Sequence, residues 1–261
     1  MAMPHADEGA NVVQSLDWKP QMDGGRKPRA RLGFVLISND ATIEQDMFQM
    51  VPEGVGVHFT RGAMPDECTI ASLASMEAVL ADSAANLLPG FDVDVVCYAC
   101  TSGSVVIGEE RVIAELQRPF PERKATTLVT GVIEGLRALG ARRIVMGTPY
   151  LDEINTFEAE YFRNKGFELL NVQGLNLTYD RDMVRVTPEF LAEFAQSIDH
   201  PDADAIFLSC GALRSIDALE AIEAATGKPA VSSNQGMLWN CLRMAGIEDR
   251  IEGYGRLFRE F

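Results

Sequence analysis

The strongest constraint on this chain is an internal repeat. ARLGFVLIS begins at Ala30 and ARRIVMGTPY at Ala141, an offset of 111 residues. GVHFTR at Gly56 answers GFELLNV at Gly166, an offset of 110. DVDVVCYAC (Asp92 to Cys100) and DADAIFLSC (Asp202 to Cys210) each open an apolar strand with Asp-x-Asp and close it with a cysteine eight residues later. LRALG ends at Gly140 and LRMAG at Gly246, each reading as a helix stopped by glycine. Four matches in one order and near-constant spacing mark a duplicated unit.

Short apolar runs alternate with longer amphipathic stretches, the pattern of an α/β protein with parallel sheets. Strands are predicted at 32–37, 56–61 and 93–99, with one helix over Ala71 to Leu88 and another after Cys100. Thr187-Pro188 reads as a helix start. Residues 228–246 read as a short strand and a helix capped by Ser232, Ser233 or Asn234. The expected fold is two pseudo-symmetric, doubly wound parallel-sheet halves with the active site between them. Residues 31–129 form the first half, completed by the C-terminal helix 235–261, and residues 130–234 form the second. Residues 1–30 hold Pro4, Pro20, Pro28 and Gly24-Gly25 and read as an arm without its own core. Trp18 is expected to anchor that arm on the body or on a neighbouring subunit.

Strand ends are where such sheets bind ligands, which directs attention to Cys100 and Cys210. The net charge of −15, from 38 acidic and 23 basic residues, disfavours nucleic acid. A small anion is still admissible, because helix N-termini supply local N–H donors. The sequence has no 20-residue apolar run, no basic and apolar leader, and five cysteines, an odd number. It therefore reads as a reduced cytoplasmic protein without a membrane partner. Neither G-x-G-x-x-G nor a phosphate-binding G-x-x-x-x-G-K-[ST] occurs, so nucleotide use is not expected.

Cys97-x-x-Cys100 does not read as a metal or redox pair. A second C-x-x-C is missing, and His5, His58 and His200 are scattered. Cys97 falls inside an apolar strand and reads as a buried small hydrophobe. Cys100 is followed by Thr-Ser-Gly-Ser and Cys210 by Gly-Ala, turns expected to present N–H groups and lower a thiol pKa. Cys68 and Cys241 carry no expected role. Ser233 and Asn234 line the cleft or cap a helix; Arg214 meets a substrate carboxylate or faces solvent. Two thiols on opposite faces of a small ligand can remove a proton on one face and return it on the other. A thiolate can also add to an activated double bond, permit rotation and leave.

These halves, the two cysteines, GTPYLDEIN and RLGFVLISNDATIEQD together resemble the Asp/Glu racemase superfamily across residues 31–261. The branch is that of maleate cis-trans isomerases and arylmalonate decarboxylases, with the ectoine-utilisation proteins of the EutA type. The resemblance implies Cys100 as nucleophile or first base and Cys210 as the opposing acid. It implies substrate contacts from Tyr150, with Thr148 beside it, and from Thr42. Either Asn39 or Asp40 takes the place of a loop asparagine of the maleate isomerases; an acidic Asp40 there permits a substrate bearing an amine or amide. Thr101, Ser102, Gly211 and Ala212 complete the candidate binding set.

The primary expectation is an isomerase or racemase of a small dicarboxylate or amino acid that uses no cofactor and no metal. Arylmalonate decarboxylases carry glycine where Cys100 stands, so two cysteines favour isomerisation; decarboxylation of a substituted malonate is the alternative. A two-lobed small-anion binding protein is the third reading, and the absence of any low-pKa thiol would favour it. A homo-oligomer, dimer or tetramer, is the expected assembly.

Overall fold

The structure, a computed structural model, describes residues 15–23, 26 and 29–261. Strands β1 (Ala30–Ile37), β2 (Val55–Gly62), β3 (Val95–Tyr98) and β4 (Lys124–Thr127) form one sheet in the order β2-β1-β3-β4. Strands β5 (Arg143–Thr148), β6 (Glu168–Gly174), β7 (Ala205–Leu208) and β8 (Ala230–Ser232) form the other, in the order β6-β5-β7-β8. Every pairing is parallel. The repeat is visible in register: Ala30 faces Val55 and Arg143 faces Glu168, the same 25-residue step. A shift between Ile144 and Val145 then breaks the match.

The sequence explains these strands locally. β1 is buried along almost its whole length, as a central parallel strand covered on both faces must be. The second aspartate of each Asp-x-Asp has a defined task. Asp94 accepts the N–H of Arg31 at 2.8 Å, and Asp204 accepts those of Arg142 and Arg143 at 3.0 and 2.7 Å. Each carboxylate thus satisfies donors at the entry of the neighbouring strand.

The helices in the first half are α1 (Ile43–Met50), α2 (Ile70–Ser75), α3 (Glu77–Ala85), α4 (Thr101–Ile107), α5 (Glu109–Gln117) and α6 (Leu128–Ala138). Those in the second are α7 (Asp152–Asn164), α8 (Asp180–Met183), α9 (Pro188–Ile198), α10 (Leu219–Thr226), α11 (Ser233–Met244) and α12 (Gly255–Glu260). The single helix expected over 71–88 is two, α2 and α3. Ser75 Oγ bonds back to Ser72 O at 2.7 Å and the chain tightens at Met76, whose N–H reaches Leu73 O.

The two halves meet through helices that follow their fourth strands. Thr127 caps α6 by accepting the N–H of Thr130, and Ser232 caps α11 by accepting that of Gln235. Four residues past each cap stands a glycine, Gly131 and Gly236. A Cβ on Gly131 would lie 2.7 Å from the Gly236 carbonyl oxygen, and one on Gly236 would lie 3.0 Å from Val132 Cα. Backbone packs on backbone at this crossing. α11 packs also on α1, β3 and β4, and α6 reaches β8, so each helix serves both halves.

Of the arm, residues 1–14, 24, 25, 27 and 28 lie outside the described residues. Trp18 is 79% exposed, so it does not anchor on the body of its own chain. Arg29 is tied by a two-pronged ion pair to Asp249 in the C-terminal segment. No helix among the described residues is long and apolar enough to cross a membrane.

Candidate active site

The carboxyl ends of β3 and β7 deliver Cys100 and Cys210 to one narrow cavity. Cys100 is extended, at φ −145° and ψ 121°, and its sulfur accepts the N–H of Gly103 at 3.3 Å, capping α4. A Cβ on Gly103 would lie 2.5 Å from the Tyr98 hydroxyl and 3.0 Å from the Cys100 sulfur, so no side chain fits beneath the thiol.

The setting of Cys210 is not the same, as the repeat had suggested. Cys210 has φ +103°, and no helix starts after it until the 3₁₀ turn Ser215–Ala218. Its sulfur accepts the N–H of Ala212 at 3.3 Å. Such a conformation in a residue with a Cβ costs about 1–3 kcal/mol and needs support from around it. The support is visible: the Cys210 N–H donates to Ser233 Oγ (2.9 Å), Asn234 Nδ2 to the Gly211 carbonyl (2.9 Å), and Thr42 Oγ1 to the Ala212 carbonyl (2.8 Å).

Both thiols are shifted upward, against the expectation from their turns. Burial pushes Cys100 up to about 11; the Gly103 amide opposes the shift and the Asp180 carboxylate adds to it. Burial also holds Cys210 well above the usual thiol range, again with Asp180 adding, while the Tyr150 hydroxyl and the Ala212 amide oppose it. Desolvation of a thiolate outweighs one or two amide hydrogen bonds here. With neither thiol low, the two raised thiols count toward the small-anion binding reading and not toward the enzyme.

A family profile described as arylmalonate decarboxylase matches residues 62–258. The chain belongs to the arylmalonate decarboxylase family. It is 37% identical over 138 residues to an arylmalonate decarboxylase of Bordetella bronchiseptica, a match covering 52% of this chain and 58% of that relative. It is 26% identical over 242 residues to a maleate isomerase of Pseudomonas putida KT2440, covering 87% and 96%. The crystal structure of the maleate isomerase Iso from Pseudomonas putida S16 superposes with a TM-score of 0.81 at 25% identity, covering 88% of this chain and 98% of that one. The fold expected from the repeat and the superfamily implied by the resemblance are those found, and the relatives are enzymes.

In this family member the cavity is lined by Asp40, Cys100, Thr101, Ser102, Tyr150, Cys210, Gly211 and Ala212 from the expected set. Asn39, Thr42 and Thr148 stand one layer behind. Asn39 Nδ2 bonds to Asp180 Oδ2 at 2.9 Å. Thr42 holds the Ala212 carbonyl. Thr148 Oγ1 donates to Asn155 and accepts the Tyr150 N–H at 3.1 Å, fixing the tyrosine's backbone. Asp40 Oδ1 accepts the N–H groups of Thr42 (3.2 Å) and Ile43 (3.0 Å), and burial raises its pKa to about 6. Ser232 is the cap of α11, and Ser233 is the hydroxyl that reaches Cys210. Arg214 does not line the cavity; half-buried, it donates to the Val186 carbonyl at 3.1 Å. Cys97 and Cys241 are core residues.

Two ionisable lining residues escaped the sequence reading, Cys68 and Asp180. Each stands six residues past the glycine ending its half's second strand, Gly62 and Gly174. Carrying the repeat one loop further would have found both. The segments holding them join over the cavity: the Cys68 N–H donates to the Thr178 carbonyl at 2.9 Å, Glu67 pairs with Tyr179 in an antiparallel bridge, and Arg181 forms an ion pair with Asp66.

Proposed function

We propose that the protein is an isomerase or racemase of a small dicarboxylate or amino acid, working through Cys100 and Cys210 without a cofactor. The observation supporting this reading is the delivery of both sulfurs, from opposite halves, into one small cavity. A substrate carboxylate would take main-chain donors at the two strand-end turns, as anions do at helix starts. Cys100 is taken as the thiol that ionises first, the role the resemblance implies for it. As thiolate it accepts a proton from the substrate carbon; the C–H electron pair passes into the neighbouring carboxylate; Cys210, as thiol, returns a proton to the opposite face. The reverse turn exchanges the roles. With an unsaturated diacid the Cys100 thiolate would instead add to the double bond, allow rotation and depart.

The family match and the 37% relative favour a second reading, loss of carbon dioxide from a substituted malonate with Cys210 as proton donor. A proton NMR time course in D₂O separates the two. Aspartate, glutamate, maleate and phenylmalonate would be offered to wild type, Cys100→Ala and Cys210→Ala. Deuterium at a substrate carbon, or a cis-to-trans shift, abolished by either substitution is the expected result. Carbon dioxide release that survives Cys100→Ala would move the protein to the decarboxylases, and exchange that survives both substitutions would remove the thiols from the chemistry.

A further inference from the structure

The charge around the cavity does not suit a dianion. Its lining carries two carboxyls, Asp40 and Asp180, and no lysine, arginine or histidine. Arg61, near Asp40, already donates to the Asp40 carbonyl at 2.8 Å and pairs with Glu44 at 3.0 Å. Burying two further negative charges beside these carboxylates, with no cation to meet them, is strongly unfavourable.

The two carboxyls are differently employed. Asp40 closes the start of α1 through the amides of Thr42 and Ile43. Asp180, 5% exposed, is held by the Asn39 side chain and lines the cavity that holds both sulfurs. Beside it, Asn39 Oδ1 is buried and has no hydrogen-bond partner. A carboxylate in the cavity wall with no cation beside it calls for a donor from the ligand.

We infer that Asp180, positioned by Asn39, receives a protonated amine of the substrate, which is therefore an amino acid whose carboxylate rests on the strand-end amides. The inference builds on the two-thiol function proposed above and narrows it to one of its two substrate classes. An ammonium group offers three donors, one of which meets the Asp180 carboxylate at the cavity wall. The pairing also has a kinetic use. Asp180 opposes thiolate formation at both cysteines; neutralised by the ammonium, it no longer does. The contact that selects the substrate thus also eases ionisation of Cys100.

The test pairs amine-bearing acids (D- and L-aspartate, glutamate and serine) with amine-free ones (malate, succinate, maleate and phenylmalonate). Two readouts are taken on wild type, Asp180→Asn, Cys100→Ala and Cys210→Ala: α-proton exchange in D₂O, and protection of Cys100 and Cys210 from iodoacetamide at pH 9, which reports binding without turnover. Exchange of, or protection by, an amine-bearing acid alone is expected. Asp180→Asn, an isosteric change, is expected to lower kcat/KM or affinity for it about 10- to 100-fold, mainly through KM. Preference for amine-free acids in the wild type, or no protection by either class, would overturn the inference. If turnover of an amine-free acid is then lost in Cys100→Ala, the two-thiol function survives. If exchange of an amino acid depends on Asp180 yet persists in both cysteine variants, the amine contact survives and the two-thiol function falls.

Discussion

Ser233 and Thr101 share a hydrogen bond of 2.8 Å between their hydroxyls, across the boundary between the halves. The same Ser233 oxygen accepts the Cys210 N–H. One hydroxyl therefore links the helix start below Cys100 to the strained backbone of Cys210. Ser233→Ala leaves a buried N–H and a buried hydroxyl without this partner, and is expected to cost about 2–3 kcal/mol of stability in urea unfolding. Turnover should fall further than the folded fraction does, because Cys210 loses its anchor. Wild-type turnover in a folded Ser233→Ala protein would show that the anchor is dispensable.

The buried carboxyls set a pH dependence of stability. Burial raises Glu158 to about 8, with the Ser209 hydroxyl opposing, and raises Asp46 to about 7 and Asp180 to about 6. Each is above its value in the unfolded chain, so unfolding releases protons. Their contribution is complete below the unfolded carboxyl range, about pH 4, and is lost as pH rises to about 8. Asp204 and Asp249 have the opposite sign and matter only in acid. Thermal melts from pH 5 to 8 should show a falling Tm. Glu158→Gln, which keeps a partner for Ser209, should flatten that slope and raise Tm at pH 8 by about 4 °C. An unchanged slope would mean that Glu158 is ionised in the folded protein.

Alkylation should resolve the thiols. With Cys100 pushed up to about 11, its reaction with iodoacetamide at pH 7.5 should be about 100-fold slower than that of free cysteine. Cys210, also raised by burial, should be slow as well. Peptide mapping over time measures both. Fast labelling of Cys210 ahead of Cys100 would reverse the assignment of the first base.

The helix crossing is a sharp site for a stability change. Gly236→Ala places a methyl 3.0 Å from Val132 Cα, and backbone cannot move aside as a flexible side chain can. A loss of about 1–3 kcal/mol is expected, read as a lower urea midpoint with an unchanged m-value. Gly140→Ala is the contrast: a Cβ there meets nothing within 4 Å, and its cost comes from φ +72° alone.

Most of the fold was legible because the repeat fixes strand order as well as strand position. The cysteine positions were legible for the same reason: Asp-x-Asp and cysteine bracket each strand at one spacing. What escaped lies in loops, where neither a period of 2 nor one of 3.6 operates. Cys68 and Asp180 are brought to the cavity by the turn after the second strand of each half, and only tertiary packing makes them neighbours. The thiol shifts were also illegible, because sequence shows the amide that stabilises a thiolate and not the burial that destabilises it. The break at Met76 depends on serine back-bonding that helical periodicity does not register.

The exchange of α6 and α11 between halves has a consequence for stereochemistry. A single half standing alone would lack part of the cover for its sheet and would find it in a second copy, giving one site per pair with two equivalent sulfurs. Such a site would present equivalent walls to the two faces of a planar carbon bound on its axis. Joining the copies in one chain lets the walls diverge. Cys68 now stands where its counterpart is Asp180, and one strand-end cysteine is extended while the other has a positive φ. A ligand there would meet two different walls built from a symmetric plan, and under the proposed two-thiol mechanism the two directions of proton transfer need not have equal kcat.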